Sequence, residues 1–203
     1  MKFVRKTTYY SGVVYEFNLP TGWTCPFANE CLVRVDRNTG KFENKSDAYK
    51  CYAASAERFP GVRNHRWNNF DEVLKADIIN IPKAAKSIRI HMSGDFFNQR
   101  YFDLWLETAR RNPSVEFWAY TKSLRYWVDR LDYIPENITL TASYGGRDDW
   151  MIEKYDLKNV KVYPSEADVP SHRPIDTNDD WARVKDINFA LIDNFAKQNI
   201  EHR

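Results

Sequence analysis

Glycine is scarce, with seven residues in a chain of 203. None falls into the G-x-G-x-x-G or Walker pattern that cradles phosphates, which argues against an ordinary nucleotide-dependent dehydrogenase or ATPase. Long apolar runs are also missing, since no stretch approaches the roughly 18 residues a membrane helix needs. The start, MKFVRKTTYY, lacks the apolar stretch of a secretory signal. The expectation is a cytoplasmic protein with no membrane partner. Charge of one sign is not in excess either, because 30 Lys plus Arg stand against 28 Asp plus Glu for a net +2. That balance removes the argument for a generic polyanion binder and leaves room only for a local basic groove.

Aromatic residues, by contrast, are plentiful at 15%, with 7 Trp and 12 Tyr. Such rings fill a core or offer stacking platforms to planar ligands, and composition does not choose between the two. With 43% hydrophobic residues the chain is not disordered overall. Its length suits a single α/β domain, residues 1–203, divided into a cysteine-bearing amino-terminal segment (1–62) and a βα core (63–203).

The first sixty residues read as irregular, with one short strand candidate at Val13, Tyr15 and Phe17. A helix is expected from Ser46 to Phe59, carrying Cys51 and ended by Pro60-Gly61, and a second around Phe70 to Ile78 before Pro82. From residue 86 the pattern turns regular. Strands are expected at Ser87–Met92, Val115–Tyr120, Ile138–Ala142 and Val160–Tyr163, with helices around Tyr101–Ala109 and Leu124–Leu131 and a last one from Trp181 to Lys197. Units of roughly 22 to 28 residues in this order imply right-handed crossovers and a parallel sheet. The fold expected is a parallel-sheet α/β structure, built as a reduced or incomplete (βα) barrel behind the irregular cysteine-bearing segment.

Parallel α/β folds place ligands at the carboxyl ends of their strands. Three successive strands here end in Ser93-Gly94-Asp95, Thr121-Lys122-Ser123 and Ser143-Tyr144-Gly145-Gly146-Arg147, which would share one rim. Asp95 is the candidate general base or amine acceptor, Lys122 the holder of a carboxylate or phosphate, and His91 an acid, base or metal ligand. Ser93, Gly94, Asp95, Thr121 and Ser143 are candidate cofactor contacts. The plainer reading is that turn residues cluster after any strand. For His91, read as lying within a strand between Ile90 and Met92 that face the other side, it is a satisfied structural histidine. Asp148-Asp149 and Asp179-Asp180 read as solvated turns or caps. Arg63, His65, Arg66 and Trp67 read either as a nucleic-acid contact or as a solvated loop, and Arg110-Arg111 as the basic end of a helix.

Only three cysteines are present, spaced C-x5-C-x19-C at Cys25, Cys31 and Cys51. An odd count in a reducing compartment argues against a disulfide framework. Three thiols can hold an iron–sulfur cluster with one iron left open to a substrate or cofactor. They can hold zinc if His65 or His91 completes the set, or they can be unrelated buried thiols.

The segments Leu19-Pro20-Thr21-Gly22-Trp23-Thr24-Cys25-Pro26, Lys50-Cys51-Tyr52-Ala53, Ile90-His91-Met92-Ser93-Gly94-Asp95-Phe96-Phe97 and Phe117-Trp118-Ala119-Tyr120-Thr121-Lys122-Ser123 resemble a poorly characterised family of tailed-phage proteins. The likeness extends to Pro174-Ile175-Asp176 and Phe189-Ala190-Leu191. That family carries a three-cysteine motif and is distantly similar to radical S-adenosylmethionine enzymes. The resemblance implies a [4Fe-4S] cluster on Cys25, Cys31 and Cys51, with Ser93-Gly94-Asp95 holding the methionine amino group of S-adenosylmethionine. It implies nucleobase or nucleic-acid modification in the host cytoplasm. The alternatives are a zinc-dependent base-exchange enzyme with Asp95 as nucleophile or base, and a noncatalytic, metal-stapled module that binds nucleic acid or a host protein.

Overall fold

The computed structural model of the chain describes residues 1–43 and 51–193. Among the described residues, nine strands and five α-helices follow in the order β1 (Val4–Lys6), β2 (Val14–Phe17), β3 (Arg34–Val35), β4 (Phe42–Glu43), α1 (Tyr52–Ala56), α2 (Pro60–Val73), β5 (Ser87–Ile90), α3 (Gln99–Arg111), β6 (Glu116–Thr121), α4 (Leu124–Val128), β7 (Ile138–Ser143), α5 (Trp150–Lys154), β8 (Asn159–Tyr163) and β9 (Phe189–Ile192). Seven strands form one mostly parallel sheet in the order β1-β2-β5-β6-β7-β8-β9, and β3 and β4 pair separately. Only β1 runs antiparallel to its neighbour in the large sheet. The parallel strands therefore lie in chain order, without the reversal that makes a switch point in doubly wound sheets.

Strand alternation decides what each face carries. Ile88 and Ile90 on β5, Phe117 and Ala119 on β6, and Leu140 and Ala142 on β7 pack with Trp105, Phe102 and Tyr101 of α3, Leu124 and Trp127 of α4, and Ile152 of α5 in the main core. The intervening residues face the other way, and the register sets Glu16, Arg89, Trp118 and Thr139 side by side in one row. A second cluster covers that face with Tyr10, Val14, Trp118, Val160, Ala182 and Phe189. Both faces are thus closed, one by helices and the other by loops from residues 8–12 and 174–184. Helix α3 is well specified locally. The Asn98 side chain accepts from the Tyr101 amide at 2.8 Å, a cap worth about 1 kcal/mol, and Arg110 and Arg111 sit in its last turn.

Several expectations are corrected. The expected helix from Trp181 to Lys197 is a short 3-10 turn at Trp181–Arg183 followed by β9. Phe189-Ala190-Leu191-Ile192 adds a parallel strand beside β8, so tertiary pairing overrides the helical spacing. Pro60 opens α2 rather than ending the preceding helix, since its fixed φ suits a first helical position and the lost N–H is unpaired there anyway. The second helix accordingly lies at Pro60–Val73 instead of around Phe70 to Ile78. Of the helix expected at Ser46–Phe59, residues 46–50 lie outside the described residues, and α1 covers Tyr52–Ala56. Residues 194–197 of the last expected helix lie outside them as well.

Candidate functional site

The loop after β2 carries two of the thiols, and the strand ends hold it down. The Leu19 amide donates to the Ser93 carbonyl at 2.9 Å, and Ser93 Oγ donates to the Leu19 carbonyl at 2.7 Å. Gly94 adopts φ +85°, and a Cβ there would lie 2.6 Å from Thr24 Oγ1 and 2.7 Å from Leu19 Cβ. Only glycine permits both this backbone and this contact. Farther along, Ala28 bridges Gly146, the Asn29 and Glu30 amides reach the Gly145 carbonyl, and the Arg147 amide donates to the Phe27 carbonyl. The rim read from the sequence and the cysteine loop are therefore one assembly.

Asp95 is its central fastening. It is buried, and Oδ1 accepts from the Phe96 amide at 2.7 Å and from Thr121 Oγ1 at 2.6 Å while Oδ2 accepts from the Lys122 amide at 2.8 Å. Burial raises its pKa, and the bonds from Thr121, Lys122 and Phe96 oppose that rise. Lys122 closes the next gap, its Nζ donating to Ser143 Oγ at 2.7 Å, the Ser143 carbonyl at 3.1 Å and the Tyr144 carbonyl at 2.6 Å. Asp95→Asn should cost about 1–3 kcal/mol in urea unfolding, because the amide group must turn an N–H toward one of these donors. Unchanged stability would mean that the carboxylate is not the clamp its bonds describe.

Charge from this rim reaches two of the three thiols, Cys25 and Cys31. All three cysteines are free and partly accessible. Burial raises the Cys25 thiol well above its ordinary value, and the charges of Asp95, Cys51 and Cys31 raise it further. Burial also lifts Cys31, opposed by the nearby Lys122 ammonium, and pushes Cys51 up to about 11 with Cys31 adding to it. Each sulfur thus lies within the electrostatic reach of another, and Asp95 acts on Cys25 and Cys31 while Lys122 acts on Cys31 alone. Thiols held in this protonated state are deprotonated when a metal supplies the opposing charge. Among the described residues, no three His, Cys, Asp or Glu side chains gather closely enough around one point to hold a single metal ion.

His91 falls elsewhere. The strand stops at Ile90, and His91 takes φ +66°, a conformation that histidine tolerates better than most residues. The break in alternation brings its ring onto the helix side, against Phe96 and Tyr101, rather than opposite Ile90 as a continuous strand would have it. Nε2 lies 2.8 Å from Tyr101 Oη, while Nδ1 is buried without a partner. Burial lowers its pKa from 6.5 to about 3. As the pH falls from 6.5 toward 3 the unfolded chain takes up a proton that the folded chain refuses, so stability falls by about 1.4 kcal/mol per unit. His91→Asn, which suits the same backbone, should flatten that fall. Parallel urea midpoints for both proteins between pH 7 and about 4 would contradict the assignment.

Other sequence candidates prove structural. Residues 60–67 form the start of α2, not a loop. Arg63 is buried against the Arg37 and Glu57 carbonyls, and Arg66 Nη1 binds Glu57 Oε1 at 2.8 Å, so neither is presented to a nucleic acid. His65 lies in α2 with Nε2 3.5 Å from the Asn69 amide nitrogen. Asp148 and Asp179 are buried rather than solvated, paired with Arg125 and Arg89 respectively. Asp149 accepts from the Gly145 and Gly146 amides and so shapes the rim. What sequence reasoning missed is the network on the loop-covered, inner face of the sheet, formed by Tyr10, Glu16, Arg89, Tyr120 and Asp179. Its signal was present in Val14-Tyr15-Glu16-Phe17 and Ile88-Arg89-Ile90, where a charge interrupts an apolar strand.

No helix among the described residues is long and apolar enough to cross a membrane. The chain is 28% identical over 131 residues to the Gene 88 protein of Mycobacterium phage L5 and 27% identical over 131 residues to that of Mycobacterium phage D29. In both cases the match covers 55% of this chain and 48% of the relative, so the chain spans about half the length of the curated relatives it matches. No solved structure matches it. The Gene product 88 family matches residues 2–198, and the chain belongs to that family.

Proposed function

We propose that Cys25, Cys31 and Cys51 hold a [4Fe-4S] cluster at the carboxyl rim of the sheet, and that the protein is a radical S-adenosylmethionine-like enzyme acting on nucleobases. What supports this reading is that the loop bearing Cys25 and Cys31 is tied to the strand ends, with charge from Cys51, Cys31 and Asp95 acting on Cys25 and charge from Lys122 acting on Cys31. Three sulfurs are available as donors, but among the described residues no group of three His, Cys, Asp or Glu is placed to hold a metal ion, so binding would require the loop to draw the thiols together. A four-iron cluster is itself several ångströms across and holds its thiolates farther apart than a single zinc does. When bound there, it would supply one electron, received from a host donor, for reductive cleavage of S-adenosylmethionine.

The chain's own residues would do the rest. Lys122 lowers the cost of negative charge on Cys31. The exposed rings of Trp23 and Tyr52 stand two residues from Cys25 and next to Cys51, and Arg34 stacks on Trp23 at 4.9 Å, a setting for flat bases. Parallel strands in chain order with helices on one face wind as a partial βα barrel does, which supports that architecture. The proposed setting is the host cytoplasm, with a nucleic acid or nucleotide as substrate.

A second reading has its own support. Ser93, Gly94 and Asp95 spend their polar atoms and close contacts on the cysteine loop and on β6. That favours a noncatalytic module whose metal fastens the amino-terminal segment. Anaerobic reconstitution with iron and sulfide separates the two. About four irons per chain, with a reduced-cluster spin-resonance signal altered by S-adenosylmethionine, supports the enzyme. One zinc, or a cluster indifferent to S-adenosylmethionine, supports the fastener, and folded protein without metal ends both.

A further inference from the structure

The inner face of the sheet holds a polar row with capacity to spare. Arg89 is buried among Tyr10, Trp118 and Tyr120, its guanidinium carbon 5.0 Å from the Trp118 ring centre and 5.3 Å from that of Tyr120. One nitrogen, Nη1, serves both the Tyr10 hydroxyl at 2.8 Å and Asp179 Oδ2 at 2.6 Å. Tyr120 Oη donates to Asp179 Oδ1 at 2.7 Å. Arg89 Nε, Trp118 Nε1 and Glu16 Oε2 have no partner, although all three residues are more than nine-tenths buried. Single atoms of this kind occur elsewhere, as at Glu57 Oε2, but here three of them lie on residues that the strand register sets side by side.

Asp179 arrives from a strap without helix or strand of its own. It sits at φ +61°, between a bridge from Ile175 to Ala190 and the short turn at Trp181–Arg183. The strap is held by apolar and polar contacts together: Ala182 is buried in the second cluster with Trp181 packed against it, Lys158 Nζ reaches the Trp181 and Ala182 carbonyls at 3.0 Å each, and Arg183 pairs with Glu116 at 2.7 Å.

We propose that the row is a seat for a small carboxylate ligand, occupied in this structure by the strap's own Asp179, and that residues 175–183 are its displaceable cover. The seat matches the class of occupant, since a planar carboxylate receives one donor on each oxygen from Arg89 and Tyr120, as Asp179 does. In the proposed seat, the unpartnered Arg89 Nε and Trp118 Nε1 would be the further donors for a ligand larger than the aspartate group. The proposal does not depend on metal binding at the cysteines.

Acetate is the probe, compared with chloride at equal ionic strength. In Asp179→Ala, acetate should raise the melting temperature saturably while chloride does not, and adding Tyr120→Phe should weaken that response several-fold. In the unaltered protein, acetate should speed amide hydrogen exchange in residues 176–184 and leave β5 and β6 unchanged. Equal responses of a folded Asp179→Ala to acetate and chloride would remove the seat. Strap exchange in the unaltered protein that ignores acetate would make Asp179 a fixed structural partner and overturn the cover. If Asp179→Ala does not fold, Asp179→Asn takes its place, and the exchange experiment decides independently.

Discussion

Cys25→Ala, Cys31→Ala and Cys51→Ala are each expected to lower bound iron after anaerobic reconstitution from about four per chain to background, while the far-ultraviolet spectrum of the sheet persists. A three-thiolate cluster has no ligand in reserve, so the three losses should be equally complete. The fold should survive because the loop is fastened by Gly94, Ala28 and the Gly145 carbonyl rather than by its sulfurs. Each substitution removes one small, half-buried group and should cost no more than about 1 kcal/mol. Iron retained in any of the three would remove that thiol from the ligand set. Collapse of the fold in all three would favour the fastener.

Arg66→Met should destabilise the protein by about 3–5 kcal/mol in urea unfolding, the largest single effect on stability expected. Glu57 is fully buried, with Oε1 accepting from Arg66 and from the Thr21 amide at 2.8 Å each. Its other oxygen has no partner, so deleting the guanidinium strands a carboxylate that cannot reach water. Replacing both partners, as Glu57→Leu with Arg66→Met, should recover much of the loss. Thr21 leads into the Cys25 loop, so the single variant should also load iron poorly when the double variant does not. A cost below about 1 kcal/mol would mean the pair is solvated after all.

The parts of the fold legible in the sequence were those with a repeating local signal. Strands β5 to β8 and helix α3 lie within a few residues of the expected positions, because apolar alternation and spacing coincide there with caps and prolines. Strand β9 was not legible, since Phe189-Ala190-Leu191-Ile192 acquires its conformation from pairing with β8. Pro60 carried two meanings, and only the contacts of α2 selected one. At the site, turn chemistry after each strand located the rim, yet the partners of Asp95 and Lys122 were out of reach of any local pattern. Those bonds span 21 to 27 residues. The charges at Glu16 and Arg89 were visible, but their burial depended on two loops far apart in the chain folding over the same face.

The cysteine segment leaves the sheet from β2 and re-enters it at β5, and these two strands are immediate neighbours, with Phe17 opposite Ile90. The segment is thus a closed excursion whose feet are planted side by side before any ligand arrives. Chelation would then tighten a loop whose ends are already joined, and stripping a bound metal should loosen the excursion without unzipping the strands beneath. Any loading would then occur on the finished scaffold, as a late and reversible event in maturation.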